Sequence, residues 1–212
     1  MTTSGVKAIT AAIITVVACT VFFLTVVRSV AYSPEDAIPL PTSHVEYSFQ
    51  APPTGVQSSG QSASVGSPLR LIIPSIRIDA KVQQVGIAKS GNMMPPSNFT
   101  DVGWYKLGAV PGQLGSAVFA GHVDNALALP GVFKHLADVA VGDDVYVRSE
   151  DGKLLHFKVT DTTTYNYKDV PTDLIFNQND KARIRLITCS GTWVQNDKSY
   201  NERMVVTAEL VV

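Results

Sequence analysis

Hydrophobic residues are distributed in two different ways along the 212-residue chain. Residues 8–27 form one continuous apolar stretch, AITAAIITVVACTVFFLTVV, that contains no charged residue and is bracketed by Lys7 and Arg28. As a helix this stretch would be about 30 Å long, the thickness of a bilayer's hydrocarbon core. We therefore predict that residues 1–28 comprise a short cytoplasmic segment and a single transmembrane anchor, with the rest of the chain extracellular.

Two other interpretations of this stretch remain open. Ser29-Val30-Ala31 resembles the small-residue cleavage site of a signal peptide, and the residues before Cys19 resemble a lipoprotein processing site. The apolar stretch is longer than a typical signal-peptide core, and it continues for eight residues past Cys19. An uncleaved anchor is therefore favoured.

Residues 29–68 are predicted to be a flexible linker. This segment contains six prolines and the Ser/Gly-rich stretch QSSGQSASVGS, a composition that cannot bury a hydrophobic core. Such a linker would hold a folded domain away from the membrane surface.

Residues 69–212 carry the pattern of a folded β-domain. Short runs rich in β-branched residues recur, and several alternate with period two, as Leu155, Phe157 and Val159 do against His156 and Lys158. The sequence at 150–153, Glu-Asp-Gly-Lys, is typical of a hairpin turn between two strands. A short helix is predicted at 131–136. Many short strands separated by turn signals predict an all-β barrel or sandwich.

The amino-acid composition narrows the range of functions expected for the chain. The formal net charge is −1, and no cluster of Lys or Arg predicts nucleic-acid binding. No paired Cys/His spacing predicts a metal site, and no cofactor is expected, although scattered acids leave a calcium site open. Of the two cysteines, Cys19 lies in the apolar stretch and Cys189 in the β-domain. A lone cysteine in an extracellular domain is a reactive thiol, a partner in an intermolecular disulfide or a buried inert thiol.

A reactive thiol needs a basic or cationic partner that favours the thiolate. Among the four histidines, His44 lies in the linker, His135 in the predicted helix and His156 at a solvent-facing strand position. His122 differs because it directly follows the apolar strand AVFAG, and Cys189 likewise ends the apolar strand IRLIT. Side chains at strand ends are often catalytic, since a rigid scaffold presents them at a rim.

Several ordered motifs in this domain resemble the sortase family, most closely the class labelled F. They are GWY at 103–105, Pro111-Gly112, GSAVFAGHVD at 115–124, Phe133 and Leu136, Gly142-Asp143, Pro171-Thr172, LITCSG at 186–191, and a final strand that begins at Arg203. The resemblance covers essentially all of residues 69–212.

This resemblance implies an eight-stranded β-barrel with one or two short helices and a Cys-His-Arg active site. Cys189 would attack a backbone carbonyl in an LPXTG-like sorting signal and form a thioester. His122 would protonate the leaving amine, and Arg203 would stabilise the oxyanion. The implied partners are surface proteins with such a signal and an amine-bearing cell-wall precursor, at the membrane of a Gram-positive bacterium.

Other residues near these motifs are candidate substrate-binding residues: Thr188, Ala120, Trp193 and Asp124. Trp193 is expected either to wall a substrate groove or to pack, and Asp124 either to orient the imidazole or to serve as a loop acid. The family often has TLXTC before the loop, but here Arg185 stands at the first threonine. Arg183 and Arg185 share strand parity with Cys189 and therefore remain rivals to Arg203.

Two other functions compete with this hypothesis. An L,D-transpeptidase would also be an extracellular, β-rich enzyme with Cys and His, but its usual motif has glycine before the cysteine, where this chain has Thr188. A non-catalytic β-domain that binds a surface partner would bury Cys189 as an inert thiol. The preferred sorting signal, the amine acceptor, the choice between wall anchoring and pilus assembly, and the oligomeric state are not readable from the sequence.

Overall fold

A computed structural model of the chain describes residues 66–125 and 127–212. These residues form eight strands, one short α-helix (α1, Thr172–Phe176) and two 3-10 turns, Pro74–Ile76 and Leu136–Asp138. The strands are β1 (Pro68–Ile73), β2 (Ile78–Val85), β3 (Val102–Tyr105), β4 (Gly115–Ala120), β5 (Asp144–Ser149), β6 (Leu154–Asn166), β7 (Ala182–Val194) and β8 (Ser199–Leu210).

The strands close into a barrel in the order β1-β2-β3-β4-β7-β8-β6-β5. The β2–β3 and β4–β7 neighbours are parallel, and the other six pairs are antiparallel. Closure pairs every strand on both sides and so leaves no exposed sheet edge in the barrel. The predicted all-β, eight-stranded barrel is confirmed.

The barrel has two hydrophobic clusters because some strands are covered on both faces. Inward-facing side chains such as Phe157 and Leu186 fill the interior and are fully buried. A second cluster lies on the outer face of β4, β7 and β8, where Val118, Ile187 and Val205 are also buried. All six residues of β4 are buried, as expected for a strand with both faces covered.

Two connections cover this outer face. The first, residues 86–101 between β2 and β3, contributes Met93, which is fully buried in the outer cluster. The second, residues 167–181 between β6 and β7, contains α1, whose Ile175 is fully buried in the same cluster. The two connections therefore cover the outer face of these strands, and Pro95 of the first one borders a cleft at the end of β4.

Of two local predictions from the sequence, the hairpin turn is confirmed and the short helix is wrong. The predicted hairpin joins β5 and β6, with Gly152 at a φ of 82°. The short helix predicted at 131–136 is instead a series of turns followed by the 3-10 segment Leu136–Asp138. The reason lies in the backbone hydrogen bonds: the amides of Lys134 and Leu136 donate to the carbonyl oxygens three residues earlier, Gly131 and Phe133, which closes turns and not α-helical rings.

The predicted anchor at residues 1–28 and nearly all of the predicted linker at 29–68 lie outside the described residues. Within residues 66–125 and 127–212, no helix combines the length and the hydrophobicity needed to cross a membrane.

Candidate active site

The parallel pairing of β4 and β7 brings the end of β4 beside the middle of β7, which is distant along the chain. Ala120 pairs with Ile187, and the amide of Gly121 donates to the carbonyl oxygen of Ile187 at 3.1 Å. When this register is continued two residues past the end of β4, His122 lies opposite Cys189. Neighbouring strands lie about 4.8 Å apart, so this register makes the two side chains neighbours.

Arg203 joins the same row from the other side of β7. It is the direct antiparallel partner of Cys189, and directly opposite residues point to the same face of a sheet. His122, Cys189 and Arg203 thus follow one another across β4, β7 and β8. They line one cleft of about 240 Å³, measured with its open mouth, together with Pro95, Ala120, Gly121, Ile187 and Thr188.

The three side chains are buried at the bottom of this cleft. Their exposed fractions are 6% for Cys189, 5% for His122 and 3% for Arg203. Charges that develop in such a site interact more strongly than they would in water, because less solvent screens them. The site therefore suits a reaction in which an anion forms beside a fixed cation.

The imidazole of His122 is held by the 86–101 connection. Its Nε2 lies 3.1 Å from the carbonyl oxygen of Pro96, and its ring centroid lies 4.6 Å from that of Phe99. A carbonyl oxygen only accepts hydrogen bonds, so Nε2 carries a hydrogen in this arrangement. This contact orients the ring, and proton exchange between His122 and a substrate stays a prediction.

The backbone of His122 is fixed by the segment that returns after the 123–130 loop. Its carbonyl oxygen accepts a hydrogen bond from the Phe133 amide at 2.9 Å. Gly131 packs directly against this carbonyl, and a Cβ at residue 131 would lie only 2.3 Å from the oxygen. Glycine is therefore required at residue 131 for His122 to hold its position.

The guanidinium of Arg203 is held mainly by the first residues of β8. Nη1 donates to the carbonyl oxygens of Tyr200 (2.9 Å) and Glu202 (2.8 Å), and Nη2 donates to Ser199 Oγ at 2.8 Å. The Nε of Arg203 is buried and has no hydrogen-bond partner among the described residues. This nitrogen is available to donate to an oxyanion.

Thr188 and Ala120, two of the predicted substrate-binding residues, line the cleft. The hydroxyl of Thr188 donates to the carbonyl oxygen of Gly121 at 2.8 Å, which ties β7 to the segment carrying His122. Ala120 is 4% exposed and belongs to the outer cluster. The contact of Thr188 supports the site, and a contact of either residue with substrate remains a prediction.

Asp124 and Trp193 are not among the residues that line this cleft. Asp124 accepts a hydrogen bond from the Tyr200 hydroxyl at 2.5 Å, and Lys134 Nζ lies 3.9 Å from it. Trp193 is 43% exposed and packs edge-on against Tyr200, with ring centroids 5.4 Å apart. Both residues therefore meet at Tyr200, beside the start of β8, and a direct role with substrate stays a prediction.

The strand that carries Cys189 is longer than the sequence pattern suggests. The apolar pattern stops at Cys189, but β7 continues to Val194, with a register shift between Ser190 and Trp193 in its pairing with β8. Gly191 has a φ of 82°, and a Cβ there would lie 2.3 Å from Asn201 Oδ1. The hydrophobic pattern ends at Cys189 because the rest of β7 extends beyond the buried part of the barrel.

The rival arginines lie at the opposite end of β7. Arg185 is four residues from Cys189, about 13 Å along an extended strand, and donates to Thr207 Oγ1 and Gln178 Oε1. Arg183 forms an ion pair with Asp180 at 2.8 Å. Burial, followed by the nearby charge of Arg183, lowers the pKa of Arg185. Neither rival lines the cleft with Cys189.

Several contributors to the site carry no signal in the sequence. Pro96, Phe99 and Gly131 hold His122, and Ser199 holds Arg203. None belongs to a periodic pattern; Pro96, Phe99 and Gly131 act across a connection or loop, whereas Ser199 lies on the same strand as Arg203. Pro95-Pro96 indicates a loop, but only the folded chain reveals that this loop reaches the histidine.

Within residues 66–125 and 127–212, no group of three or more His, Cys, Asp or Glu side chains is arranged to hold a metal ion. The described site instead combines a thiol, an imidazole and a guanidinium. This set of groups can form a covalent acyl intermediate, move a proton and stabilise an oxyanion.

Comparison with known proteins gives the family of the chain. A family model for the sortase domain matches residues 71–211. Similar solved structures include sortase C-1 from Actinomyces oris, at 25% identity and a TM-score of 0.53, covering 68% of this chain and 71% of that one. Sortase A from Corynebacterium diphtheriae is 24% identical with a TM-score of 0.54, covering 72% of this chain and 64% of that one.

Sortase A from Listeria monocytogenes is 22% identical with a TM-score of 0.52, covering 69% of this chain and 88% of that one. A comparison with curated protein sequences gave no match. The family match favours a sortase over both an L,D-transpeptidase and a β-domain that only binds. The chain belongs to the sortase family and is a sortase-type cysteine transpeptidase that acts on protein substrates.

Proposed function

We propose that this transpeptidase cleaves an LPXTG-like sorting signal of a surface protein through a thioester on Cys189 and transfers the protein to an amine of a cell-wall precursor. The observation that supports this proposal is the row of His122, Cys189 and Arg203 across three neighbouring strands. All three side chains line one cleft, so a single peptide bond can be in reach of each.

In the first half of the reaction, the Cys189 thiolate attacks the carbonyl carbon of the scissile peptide bond. A carbon–sulfur bond forms, and the carbonyl oxygen becomes an oxyanion that the Arg203 guanidinium stabilises through Nε–H. The carbon–nitrogen bond then breaks as the His122 imidazolium gives its proton to the leaving amine. The products are a thioester on Cys189, a free C-terminal fragment and a neutral His122.

In the second half, an amine attacks the thioester carbonyl. His122 accepts the proton that the incoming amine loses, and a second oxyanion forms beside Arg203. The carbon–sulfur bond breaks, which regenerates the Cys189 thiolate and the His122 imidazolium. The net result exchanges one amide bond for another and consumes no cofactor.

The test uses the full-length chain in detergent, a panel of fluorophore–quencher peptides containing LPXTG-like sequences, and hydroxylamine as the amine. We expect cleavage and a hydroxamate product, with the acyl-enzyme mass found on Cys189. Cys189→Ala should lower kcat/KM by at least about 10³-fold. His122→Ala and Arg203→Ala should each lower it by roughly 10²-fold or more.

Matched controls come from the same chain. Cys19→Ala removes the other cysteine, and His156→Ala removes a histidine on β6 that pairs with Asp144. Both should retain the activity of the parent chain. Activity that survives in Cys189→Ala, or that is lost equally in Cys19→Ala, would overturn the assignment of the nucleophile.

We also propose that residues 8–27 anchor the enzyme in the cell membrane as a single-pass helix, with the barrel outside the cell. Support comes from the uncharged 20-residue stretch and from the Pro- and Ser-rich segment that follows it. Protease added to intact cells should degrade the barrel, and carbonate washing should leave residues 1–28 in the membrane fraction. A barrel that is protected from protease in intact cells would contradict this topology.

A further inference from the structure

The position of the Arg203 guanidinium depends on more than its hydrogen bonds. Nη1 uses both of its hydrogens on the carbonyl oxygens of Tyr200 and Glu202, and Nη2 donates to Ser199. All three acceptors are neutral groups of the first residues of β8. These contacts hold Nη1 and Nη2, and a group packed over the face of the guanidinium would hold it more firmly.

The group over that face is the ring of Tyr167. Its centroid lies 5.8 Å from Arg203 Cζ, within the range of a cation–π contact. Tyr167 directly follows β6, and its amide donates to the carbonyl oxygen of Asn201 at 3.1 Å. This backbone bond extends the β6–β8 pairing and sets the ring over the arginine.

The Tyr167 side chain is itself held by a contact with the turn between β7 and β8. Its hydroxyl donates to the carboxylate of Asp197, in the turn between β7 and β8. Lys168 Nζ lies 3.6 Å from the same carboxylate and 5.2 Å from the Tyr167 ring centroid. The hydrogen bond from Tyr167 holds the pKa of Asp197 below its usual value, so the carboxylate is ionised and a strong acceptor at neutral pH.

We propose that Tyr167 is a positioning residue that holds the Arg203 guanidinium in the orientation that leaves its buried Nε–H without a protein acceptor, for an oxyanion to use. Asp197 fixes the Tyr167 ring through its hydroxyl, so the β6–β7 and β7–β8 connections together set the position of the arginine. The inference rests on the proposed role of Arg203 in stabilising the oxyanion. Tyr167 itself touches neither the substrate nor the reacting atoms.

The kinetic test compares Tyr167→Leu and Tyr167→Phe in the full-length chain. Tyr167→Leu removes the ring and should lower kcat about tenfold with little change in KM, because the ring acts through the arginine and not through the substrate. Tyr167→Phe keeps the ring and should lower kcat by about threefold, as should Asp197→Asn. In an Arg203→Ala background, Tyr167→Leu should cause no further loss.

A second measurement does not depend on turnover. The Nε–H signal of Arg203 in ¹⁵N-arginine-labelled protein reports directly on how firmly the guanidinium is held. Tyr167→Leu should accelerate exchange of this hydrogen about tenfold. Tyr146→Leu is the matched control, since Tyr146 lies on β5, stacked on His156 at 4.8 Å, and should leave the Arg203 signal unchanged.

The outcomes separate the two proposals. If the parent chain cleaves no peptide of the panel, the proposed function fails, and the exchange of Arg203 Nε–H still decides the role of Tyr167. An unchanged exchange rate in Tyr167→Leu would overturn the inference, as would equal losses of kcat from that substitution with and without Arg203. Folding of each variant is checked by thermal unfolding, and Tyr167→Phe provides the test if Tyr167→Leu does not fold.

Discussion

At the scale of single residues, the site depends on backbone contacts as much as on the reactive side chains. His122 is the clearest case, because its ring is held by Pro96 and Phe99 and its carbonyl oxygen by the Phe133 amide. Gly131 makes this arrangement possible by lying against that carbonyl with no side chain between them. A small change at a residue without any reactive group should therefore affect catalysis.

We predict that Gly131→Ala lowers kcat/KM by about 10²-fold, because a Cβ 2.3 Å from the His122 oxygen would displace the imidazole. The measurement is cleavage of the LPXTG-like peptides, with alkylation of Cys189 by iodoacetamide as a second probe of the site. Gly142→Ala is the control, since a Cβ there meets nothing within 4 Å although its φ of 95° adds local strain. Equal activity losses in the two variants would show that a general disturbance of the fold, and not the contact with His122, is responsible.

At the scale of elements, the site is built where two connections cover the outer face of three strands. The 86–101 connection reaches His122, and the 167–181 connection carries both α1 and Tyr167. The 86–101 connection is held at its C-terminal end by Asp101, whose carboxylate accepts hydrogen bonds from Gln83 and Asn98 at 2.8 Å each. These bonds lower the pKa of Asp101, the one from Gln83 contributing most.

We predict that Asp101→Ala lowers the free energy of unfolding by about 1 kcal/mol at pH 7, because two hydrogen bonds to an ionised carboxylate are lost. The folded-state pKa of Asp101 lies below its ordinary value of 3.8. Its contribution is therefore complete above that ordinary value and is lost as the pH falls through the folded-state value.

Urea unfolding at pH 7 and near pH 3 checks this prediction. The difference between the parent chain and Asp101→Ala should shrink as the pH is lowered. A difference of constant size across this range would mean that ionisation of Asp101 does not stabilise the fold.

At the scale of the whole molecule, we expect the two hydrophobic clusters of the barrel to contribute differently to stability and to catalysis. The interior cluster holds the strands together, whereas the outer cluster joins the catalytic face to its two covering connections. Leu71 on β1 and Ile175 on α1 are both fully buried, one in each cluster. Truncation at these two positions should therefore have similar effects on stability and different effects on activity.

We predict that Leu71→Ala and Ile175→Ala each lower the free energy of unfolding by about 2–5 kcal/mol, as expected when a large aliphatic side chain leaves a cavity. Below the unfolding midpoint, Leu71→Ala should keep the kcat and KM of the parent chain. Ile175→Ala should raise KM, because Ile175 packs in the same cluster as Ala120 and Ile187, which line the cleft. Peptide cleavage at 15 °C measures both, and a matching rise of KM in Leu71→Ala would show that the two clusters are not separable.

The sequence by itself determined the class of fold, because alternation along a strand and turn chemistry are local properties of the chain. Phe157 and Val159 point inward and Lys158 outward as the pattern predicts, and Gly152 turns the predicted hairpin. The motif resemblance also indicated the family and the three candidate residues. The roles of Cys189, His122 and Arg203 stay predictions until the variants are measured.

Only the tertiary structure decided which residues meet. Period-two spacing fixes the face of a side chain but not its neighbours, so Arg183, Arg185 and Arg203 remained alternatives until pairing set Arg203 beside Cys189 and the others at the far end of β7. The contacts of Pro96, Gly131 and Tyr167 arise because connections fold back over the sheet. Such long-range contacts depend on register and barrel closure, which no local pattern encodes.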